Sequence, residues 1–429
     1  MKIAVVGLGY VGLAVLANLL ENGYEVIGFD TDSYKVAALN DGKILISEPK
    51  IEKVLQKYLE HVTFTTRPSE LTKASIIYIC VNTPEKPDWS VELKYFNEAK
   101  DSVLKYSDHE TLVIIKSTIP VGTSRKMQHE IDVKRPTGRI RVVFSPEFLR
   151  QGYALDDVRN PSRLVFGGEF DEALKIKLST INPVNQNKII FTDYESAELS
   201  KYSSNNFLAL KISYINEISM LANKVGANVD DIKKIMALDP RISDGCLNAG
   251  VGFGGGCFVK DTKALYQQAK ALGVDAKIIK ASIDRNTEQN RILLTKLDEI
   301  YKGFKKIKNE SILIVGLSFK GNCGDVRGSI AIDNLRVMER QCNNISLYDP
   351  LVNKETLKSL DHKIFTSLEE AINNNKIILI FTERTEINKL DDELFEKKIV
   401  LDGRGILEQS KIKECAYYYS PILGEIKKR

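Results

Sequence analysis

The chain opens with the alternation of apolar and polar segments that is typical of a parallel sheet covered by helices. Lys2–Val6 is a short apolar run, followed by a glycine-rich turn and a helical pattern over residues 13–20. A second apolar run, residues 24–29, ends at Asp30, and three more strands are predicted at Ile76–Val81, Leu112–Ile115 and Arg141–Phe144. This order predicts a doubly wound α/β domain in the first part of the chain.

The same alternation returns in the last third of the chain. A strand at 311–315, a turn, a helix at 329–340 and a strand at 345–348 lead to Asp349, and further strands are expected at 377–381 and 399–401. The turn lacks the full glycine pattern of the first half. Lys320, Arg327 and Arg404 fall at predicted strand ends, where cations suit a phosphate-bearing ligand.

Between these halves, Glu195–Val225 reads as one long amphipathic helix. Its apolar positions recur mostly at steps of three and four: Leu199, Tyr202, Leu208, Ile212, Ile215, Ile218 and Leu221. We therefore predict an α/β fold of two Rossmann-like, doubly wound domains joined by a long central helix and a helical dimerisation region. The expected domain boundaries are 1–190, 191–300 and 301–429.

Composition narrows the class of protein. The 429 residues carry 61 basic and 57 acidic side chains, a net charge of +4 that gives no reason to expect nucleic acid. The six cysteines form no CxxC pair, which favours a reducing, cytoplasmic setting and argues against a disulfide framework or a metal cluster. We also expect no signal peptide, because the first strand already begins at Lys2, and no membrane span, because no apolar run approaches about 18 residues.

The first turn, Gly7-Leu8-Gly9-Tyr10-Val11-Gly12, has the GxGxxG pattern between a strand and a helix. Glycines at these places permit a tight turn and let a pyrophosphate approach the start of a helix. Asp30 follows at the spacing of a ribose-binding acid. It suits the hydroxyls of NAD and would repel the 2′-phosphate of NADP.

Polar residues also follow the later strands of the first half. Thr83, Thr118 and Glu147 lie at the carboxyl ends of predicted strands, where a doubly wound sheet binds its ligands. Two simpler interpretations stay open. Thr118 could cap a helix, and Glu147 could be an acid in the first turn of one.

A glycine-cysteine segment, Gly252–Asp261, lies past the middle of the chain, ahead of a helix predicted at 262–272. A thiol near a helix N-terminus has its thiolate stabilised, so Cys257 is a candidate nucleophile. The alternative is a small buried side chain in a glycine turn. Lys201 and Asn205 share one face of the central helix, although both could simply be solvated. Asp261 could also serve as the cap of the predicted helix.

Five motifs in this order resemble those of the nucleotide-sugar dehydrogenase family, and the resemblance covers nearly the whole chain. They are Gly7–Gly12, Ser117-Thr118-Ile119-Pro120-Val121-Gly122-Thr123, Ser145-Pro146-Glu147-Phe148-Leu149-Arg150, Gly252-Phe253-Gly254-Gly255-Gly256-Cys257-Phe258 and Gly316-Leu317-Ser318-Phe319-Lys320. The resemblance implies oxidation of a sugar C6 alcohol to a carboxylate in two NAD-dependent steps. It makes 1–190 the NAD-binding domain, 191–300 the central domain with the cysteine loop, and 301–429 the UDP-sugar-binding domain.

The resemblance also implies roles for individual residues. Cys257 would hold the C6 aldehyde as a thiohemiacetal, which becomes a thioester and is hydrolysed. Lys201 and Asn205 would stabilise the oxyanion. Proton and water handling would fall to Asp261, Thr118 and Glu147. The residues expected to contact NAD are Gly7, Gly9, Tyr10, Val11, Gly12, Asp30, Lys35, Thr83, Thr118, Lys260 and Arg327.

The substrate-binding residues implied in the same way come from all three regions. They are Glu147, Phe148, Leu149, Arg150, Lys201, Asn205, Arg241, Phe253, Gly254, Phe319, Lys320 and Arg404. Arg241 would reach the substrate of a neighbouring subunit. The long helix could pack against a second copy of the chain, so the expected assembly is a homodimer. Three departures from the family pattern stand out: Gln151 replaces a common acid, Val259 replaces proline or glutamine, and Gly321–Gly328 lacks the acid that commonly follows the arginine.

Several alternatives remain at this point. Residues 144–152 and 160–165 resemble the branch of the family that oxidises UDP-glucose, but UDP-N-acetylhexosamines and GDP-mannose would be oxidised by the same chemistry. A single-step 2- or 3-hydroxyacid dehydrogenase also uses a glycine fingerprint and a helix lysine, but it needs neither the cysteine nor the second half. A non-enzymatic NAD sensor would require an inert cysteine loop.

Overall fold

The computed structural model describes residues 2–46, 48–107, 110–135 and 140–427. The chain divides into two compact units, Met1–Ser204 and Asn205–Arg429, here called the N-terminal and C-terminal units. The boundary lies within the long helix α8 (Tyr194–Val225), which the sequence predicts to within one residue.

In the N-terminal unit, eight strands of the described part form one sheet in the order β3-β2-β1-β4-β5-β6-β7-β8. The strands are β1 (Lys2–Val6), β2 (Glu25–Phe29), β3 (Val62–Thr65), β4 (Ile76–Ile79), β5 (Thr111–Ile115), β6 (Ile140–Phe144), β7 (Leu164–Gly167) and β8 (Ile189–Thr192). All neighbouring pairs are parallel except β6 and β7. The helices are α1 (Tyr10–Glu21), α2 (Ser33–Asn40), α3 (Pro49–Lys57), α4 (Lys94–Tyr106), α5 (Thr123–Lys134), α6 (Ala154–Arg159) and α7 (Glu172–Ile181).

Strand β1 explains why the first apolar run has no polar alternation. Ile3 and Val5 point into one buried cluster, and Ala4 and Val6 point into the cluster on the other face of the sheet. Successive side chains of a strand point to opposite faces, so a strand covered by helices on both sides must be apolar throughout. The carboxyl end of this strand therefore leads the chain directly into the glycine turn.

In the C-terminal unit, seven strands of the described part form a second sheet in the order β11-β10-β9-β12-β13-β14-β15. They are β9 (Ile312–Val315), β10 (Ile345–Tyr348), β11 (Lys363–Ile364), β12 (Ile377–Ile380), β13 (Ile399–Asp402), β14 (Tyr417–Ser420) and β15 (Gly424–Lys427). Only β14 and β15 pair antiparallel among them. The helices are α9 (Val229–Ala237), α10 (Phe258–Ala271), α11 (Lys277–Gln289), α12 (Ile292–Tyr301), α13 (Ile330–Met338), α14 (Lys354–Lys358), α15 (Leu368–Asn373) and α16 (Gln409–Glu414).

Short 3-10 helices complete the two units at Leu59–His61, Pro68–Lys73, Gln186–Lys188, Phe304–Ile307, Thr385–Lys389 and Asp392–Phe395. The predicted fold class is confirmed: each unit holds a doubly wound, mainly parallel sheet. In the described part of the chain, none of the helices is both long and apolar enough to cross a membrane.

The start of α10 differs from its prediction. The helix begins at Phe258, four residues before the predicted Thr262, so Lys260 and Asp261 lie in its first turn and not in the preceding loop. The Asp261 N–H donates to the Cys257 carbonyl at 2.8 Å, so Phe258, Val259 and Lys260 lie within the first helical turn. Asp261 therefore does not cap this helix; Cys257 occupies the N-cap position.

Candidate active site

The glycine turn after β1 has the geometry of a dinucleotide site. Gly7 has a φ of +92°, which favours glycine, and a Cβ there would lie 2.9 Å from the backbone of Cys80. A Cβ on Gly12 would lie 1.9 Å from the Gly7 carbonyl oxygen, so α1 could not approach the turn. At Gly9 no described atom lies within 4 Å of an added Cβ. The turn is thus closed on its inner side and open at Gly9, the N-cap residue of α1.

Asp30 lies at the end of β2, beside this turn. Its carboxylate accepts a hydrogen bond from the Leu8 N–H at 2.8 Å and pairs with the Lys35 ammonium at 2.8 Å. The open face at Gly9, the N-terminus of α1 and an acid at the end of β2 together fit the pyrophosphate and ribose of NAD. Asp30 and Lys35, both expected to contact the cofactor, are brought together.

Thr83 and Thr118 also meet at the carboxyl edge of this sheet. The Thr83 hydroxyl donates to the Thr118 carbonyl at 2.7 Å, and the Ser117 hydroxyl donates to the Val81 carbonyl at 2.7 Å. The interpretation of Thr118 as a helix cap is wrong, because the N-cap of α5 is Gly122, whose φ is +90°. Thr118 therefore lies in the loop between β5 and that helix.

Glu147 and Lys201 form a nearly buried ion pair. The Lys201 ammonium lies 2.7 Å from the Glu147 carboxylate and 2.7 Å from its backbone carbonyl, and the two side chains are 4% and 11% exposed. Burial raises the pKa of Glu147, but the charges of Lys201 and Lys116 and the hydrogen bonds from Lys201 and the Leu149 N–H outweigh it. The pKa therefore lies below its ordinary 4.5.

Two simpler interpretations fail at this pair. Glu147 belongs to no helix, since β6 ends at Phe144 and α6 begins at Ala154, so it is not a first-turn acid. Lys201 is not solvated, because its ammonium is held by Glu147. The pair instead places a carboxylate and an ammonium side by side where a sheet of this kind binds its ligands.

Lys116 is a neighbour of this pair that the sequence reasoning missed. It follows β5 directly, and its ammonium donates to the Ser145 hydroxyl at 3.2 Å. Burial lowers the pKa of Lys116 from 10.5 to about 8, opposed by Cys80 and Glu147 and assisted by Lys201. The sequence did contain a signal for this residue, because Lys116 is a charged side chain directly after the apolar strand β5.

Glu198 is a second residue that was missed, one turn before Lys201 on α8. Its side chain is fully buried, and its carboxylate accepts hydrogen bonds from the Gly122 N–H at 2.5 Å and the Ser124 N–H at 2.8 Å. It therefore anchors the start of α5 and the end of the loop that carries Thr118. Burial raises the pKa of Glu198, although these hydrogen bonds oppose the rise.

The remaining substrate candidates of the N-terminal unit surround Phe148. The Arg163 guanidinium lies 3.6 Å from the centre of the Phe148 ring, and the Lys201 ammonium lies 5.5 Å from it. Arg150 is mostly exposed and pairs with Asp157 at 2.7 Å. Phe148 and Lys201 are thus brought together, whereas Arg150 points to a surface partner.

In the C-terminal unit, Cys257 is exposed at the N-terminus of α10, so it is not a small buried side chain. Asp261, one turn into the helix, is 1% exposed. Its carboxylate accepts a hydrogen bond from the Asn205 amide at 2.6 Å and pairs with the Lys260 ammonium at 2.8 Å. Asn205 is 7% exposed, so it is not a solvated residue either.

The glycines before Cys257 allow close packing against the loop after β9. The Gly255 N–H donates to the Gly328 carbonyl at 2.8 Å, and a Cβ on Gly254 would lie 2.5 Å from that same oxygen. A Cβ on Gly255 would lie 2.8 Å from the Phe319 ring. The substrate candidates Gly254 and Phe319 therefore belong to two loops in direct contact.

The basic candidates of the C-terminal unit are held by neighbours of their own. Arg327 pairs with Asp325 at 2.5 Å, and Arg241 pairs with Asp239 at 2.6 Å. Arg404 donates to the Phe381 carbonyl at 2.8 Å, and the Lys320 ammonium lies 5.7 Å from the centre of the Phe319 ring. The family pattern commonly has an acid after this arginine. In this chain, Asp325 supplies a carboxylate two residues before Arg327 instead.

The acid of the second Rossmann-like unit has a different environment from Asp30. Asp349 accepts hydrogen bonds from the Leu317 and Ser318 N–H groups and forms an ion pair with Arg384 at 2.7 Å. The two side chains are 0% and 2% exposed. The acid at this position of the second unit is therefore occupied by a buried ion pair with Arg384.

Sequence models of one family match three consecutive regions of the chain. The NAD binding domain of the UDP-glucose/GDP-mannose dehydrogenase family matches residues 1–184, its central domain residues 195–288, and its UDP binding domain residues 313–409.

Individual proteins show the same similarity. UDP-glucose 6-dehydrogenase TuaD of Bacillus subtilis is 34% identical over 98% of this chain and 93% of its own length. UDP-glucose 6-dehydrogenase of Rickettsia conorii is 34% identical over 99% of this chain and 100% of its own length.

Solved structures agree. A UDP-glucose dehydrogenase from Pyrobaculum islandicum superposes with a TM-score of 0.91 and 30% identity, covering 98% of this chain and 97% of its own. A UDP-D-ManNAc dehydrogenase from Pyrococcus horikoshii superposes with a TM-score of 0.87 and 27% identity, covering 99% and 100%.

The matching family models and relatives, together with the dinucleotide-type turn after β1, define the chain as an NAD-dependent oxidoreductase. It belongs to the UDP-glucose/GDP-mannose dehydrogenase family. The UDP binding domain at its C-terminal end indicates a UDP-sugar as the substrate.

Proposed function

We propose that this enzyme oxidises UDP-glucose to UDP-glucuronate, removing four electrons in two NAD-dependent steps through a covalent adduct on Cys257. The observation that carries the proposal is the exposed Cys257 at the start of α10, with buried Asp261 one turn away and held by Asn205. The curated relatives named above, which are UDP-glucose 6-dehydrogenases, favour glucose as the sugar.

NAD, when bound, accepts a hydride in each oxidation. We propose that Gly7, Gly9 and Gly12 admit its pyrophosphate, while Asp30 and Lys35 contact its ribose. The other cofactor contacts proposed are Tyr10, Val11, Thr83, Thr118, Lys260 and Arg327. The Asp30 carboxylate would repel a 2′-phosphate, so the enzyme prefers NAD to NADP.

Cysteine chemistry suits a reaction in which the aldehyde must be retained between two oxidations. The first oxidation turns the C6 alcohol into an aldehyde, with one hydride and one proton lost. The Cys257 sulfur then adds to the carbonyl carbon to give a thiohemiacetal. Loss of a second hydride and proton gives a thioester, and water cleaves the C–S bond to release the carboxylate and restore the thiol.

The polar side chains divide the remaining work. Lys201 and Asn205, one turn apart on α8, donate to the developing oxyanion. Asp261 accepts a proton through an ordered water, and Thr118 and Glu147 complete the relay. The substrate contacts proposed are Glu147, Phe148, Leu149, Arg150, Lys201, Asn205, Phe253, Gly254, Phe319, Lys320 and Arg404, with Arg241 serving a neighbouring subunit. The division into domains 1–190, 191–300 and 301–429 follows these roles.

We also propose a homodimer formed through α8. Phe207, Tyr214 and Leu221 are spaced seven residues apart on this helix and are 62%, 50% and 60% exposed. This spacing gives one apolar stripe, which a second copy of the chain would cover. Leu221→Glu should give a monomer in light scattering where the natural chain gives a dimer; a natural chain that is monomeric would refute the dimer.

A cytoplasmic setting agrees with thiols in all six cysteines. The product, a nucleotide-linked uronic acid, is an activated precursor for polysaccharide biosynthesis, which we propose as the fate of UDP-glucuronate.

The test compares NADH formation with UDP-glucose, UDP-N-acetylglucosamine, UDP-N-acetylmannosamine and GDP-mannose. UDP-glucose should give the highest kcat/KM. A preference for an acetamido sugar would make that sugar the proposed substrate. The protein from Pyrococcus horikoshii is named for such an activity, as a UDP-D-ManNAc dehydrogenase.

Cys257→Ser should lower turnover by about 100-fold or more while UDP-glucose binding survives, because an alcohol is a far weaker nucleophile than a thiolate. Cys246→Ser, at a half-buried cysteine elsewhere in the C-terminal unit, is the matched control and should keep full activity. Full activity in Cys257→Ser would overturn the mechanism.

A further inference from the structure

The segment before Cys257 is held by side-chain amides and not by a neighbouring strand. Asn216 on α8 accepts a hydrogen bond from the Gly250 N–H at 2.8 Å, and Gln289 on α11 donates to the Gly250 carbonyl at 2.5 Å. Both amide side chains are 1% exposed. Buried backbone groups need partners, and here helices supply them through their side chains.

Asn286 makes the most specific of these contacts. Its Oδ1 accepts a hydrogen bond from the Phe253 N–H at 2.7 Å, and its Nδ2 donates to the Phe253 carbonyl at 2.9 Å. One amide therefore satisfies both backbone groups of one residue, as a paired strand would do. Asn286 is 6% exposed, so water does not compete with these bonds.

The backbone on either side of Phe253 is also restricted in its conformation. Gly252 has a φ of +88°, and a Cβ there would lie 2.5 Å from the Asn286 Oδ1. Two residues after Phe253, the Gly255 N–H donates to the Gly328 carbonyl, and Cys257 then occupies the N-cap position of α10. The path from Gly252 to Cys257 is thus fixed at Phe253 by Asn286 and at Gly255 by Gly328.

We propose that Asn286 is a positioning residue of the active site, which sets the Phe253 and Gly254 backbone against which the sugar lies and thereby the location of Cys257. This inference rests on the proposed function, in which Phe253 and Gly254 bind the substrate and Cys257 attacks it. Sequence reasoning assigned Asn286 no role.

The chemistry of the amide makes the proposal testable. Asn286→Asp keeps an oxygen for the Phe253 N–H but turns a second carboxylate oxygen toward the Phe253 carbonyl, which repels it. When protonated, the same carboxyl can donate a hydrogen bond to that carbonyl and replace the amide. Burial raises the pKa of a carboxyl, so protonation should be reached at about pH 5 to 6.

The experiment measures UDP-glucose affinity by calorimetry, kcat, and the rate of Cys257 alkylation by iodoacetamide, all relative to the natural enzyme at the same pH. At pH 8, Asn286→Asp should bind UDP-glucose about tenfold or more weakly. Near pH 5.5 the affinity should return toward that of the natural enzyme. The relative alkylation rate should change at pH 8 and recover in the same way.

Asn375→Asp is the matched control, because Asn375 is a buried amide of the same unit that bonds to Ala371 and Ser346. It should lower thermal stability without giving a pH-dependent change in affinity. If Asn286→Asp does not fold, Asn286→Gln replaces it; this variant keeps both groups but displaces them by one methylene, and it should weaken binding at every pH.

Unchanged affinity and alkylation at pH 8 in Asn286→Asp, or in Asn286→Gln where that variant replaces it, would overturn the proposal, and so would a loss in Asn286→Asp that does not recover at pH 5.5. A natural enzyme that neither binds nor oxidises UDP-glucose would instead refute the proposed function. In that case the alkylation rates of Cys257 still decide whether Asn286 positions the loop.

Discussion

At the scale of single residues, Glu147 keeps its charge in a nearly buried position because cations compensate the loss of water. Lys201 is its direct partner, and Lys116 contributes a second positive charge. Removing one partner of such a group leaves an uncompensated charge, which costs more than the pair contributes. Burial therefore disfavours the charged form of Lys116 and lowers its pKa, whereas the neighbouring cations stabilise the charged form of Glu147.

Lys116 predicts a specific pH dependence of stability. Its pKa is about 8 in the folded chain against an ordinary 10.5, so the unfolded chain binds more protons between these values. The stability of the natural protein should therefore rise between pH 7 and pH 10, relative to Lys116→Met, by about 1 to 2 kcal/mol. Fluorescence of Trp89, the only tryptophan, reports unfolding of the N-terminal unit in urea.

Lys116→Arg is the control for this measurement. Arginine stays protonated across the whole range, so this variant should lack the rise even though it keeps a positive charge. Equal changes in the natural protein and both variants would mean that Lys116 does not titrate in this window.

At the scale of elements, α8 contributes buried polar side chains to both units. Glu198, Lys201 and Asn205 lie at steps of three and four, so they share one face, and all three are buried. Glu198 fixes the start of α5, Lys201 pairs with Glu147, and Asn205 holds Asp261.

Glu198→Leu should reduce the stability of the N-terminal unit by about 2 kcal/mol or more, because the Gly122 and Ser124 N–H groups would lose their acceptor in a buried position. Urea unfolding followed by Trp89 fluorescence measures the loss. The control is Glu195→Gln, a change on α8 that removes a surface ion pair with Arg125 of α5 and should cost less than about 1 kcal/mol. A similar loss in both variants would contradict the role of Glu198.

The elements also show what could be predicted from the sequence and what could not. Burial requires apolar side chains at regular positions, and this pattern is visible in the sequence. The bounds of β1 and α8 were therefore predicted almost to the residue. The start of α10 was predicted four residues late, because three glycines and a cysteine gave no helical pattern before Phe258.

Residues that act through backbone contacts were harder to predict. Asn286 lies on α11, 33 residues from Phe253 along the chain, so no local pattern links these two residues to each other. The amide-rich run Asn286, Gln289 and Asn290 was a usable signal, since buried helix faces are normally apolar. Glu198 could have been found by its one-turn spacing from Lys201.

At the scale of the whole molecule, the two Rossmann-like units carry an acid at the same position of their folds but in different surroundings. Asp30 remains beside an open glycine turn, whereas Asp349 is sealed by Arg384. We expect each chain to bind one NAD, in the N-terminal unit. Equilibrium dialysis should give one site per chain, and Asp30→Ala should abolish it; a second site that survives Asp30→Ala would contradict this assignment.

Arg384→Leu should destabilise the C-terminal unit by about 3 to 5 kcal/mol, because it leaves the Asp349 carboxylate buried without its cation. Hydrogen exchange of β9 and β10 measures the loss. Lys280→Met, which breaks an exposed ion pair with Asp284 on α11, is the control and should leave exchange in these strands unchanged. Unaltered protection in Arg384→Leu would show that the ion pair does not stabilise the sheet.

The central claim is a four-electron oxidation that passes through Cys257. The most direct test supplies limiting UDP-glucose with excess NAD and counts the NADH and the nucleotide sugar formed. We predict two NADH for each UDP-glucose consumed, with UDP-glucuronate as the product and no aldehyde released. One NADH for each sugar, with a UDP-linked aldehyde as the product, would contradict the account.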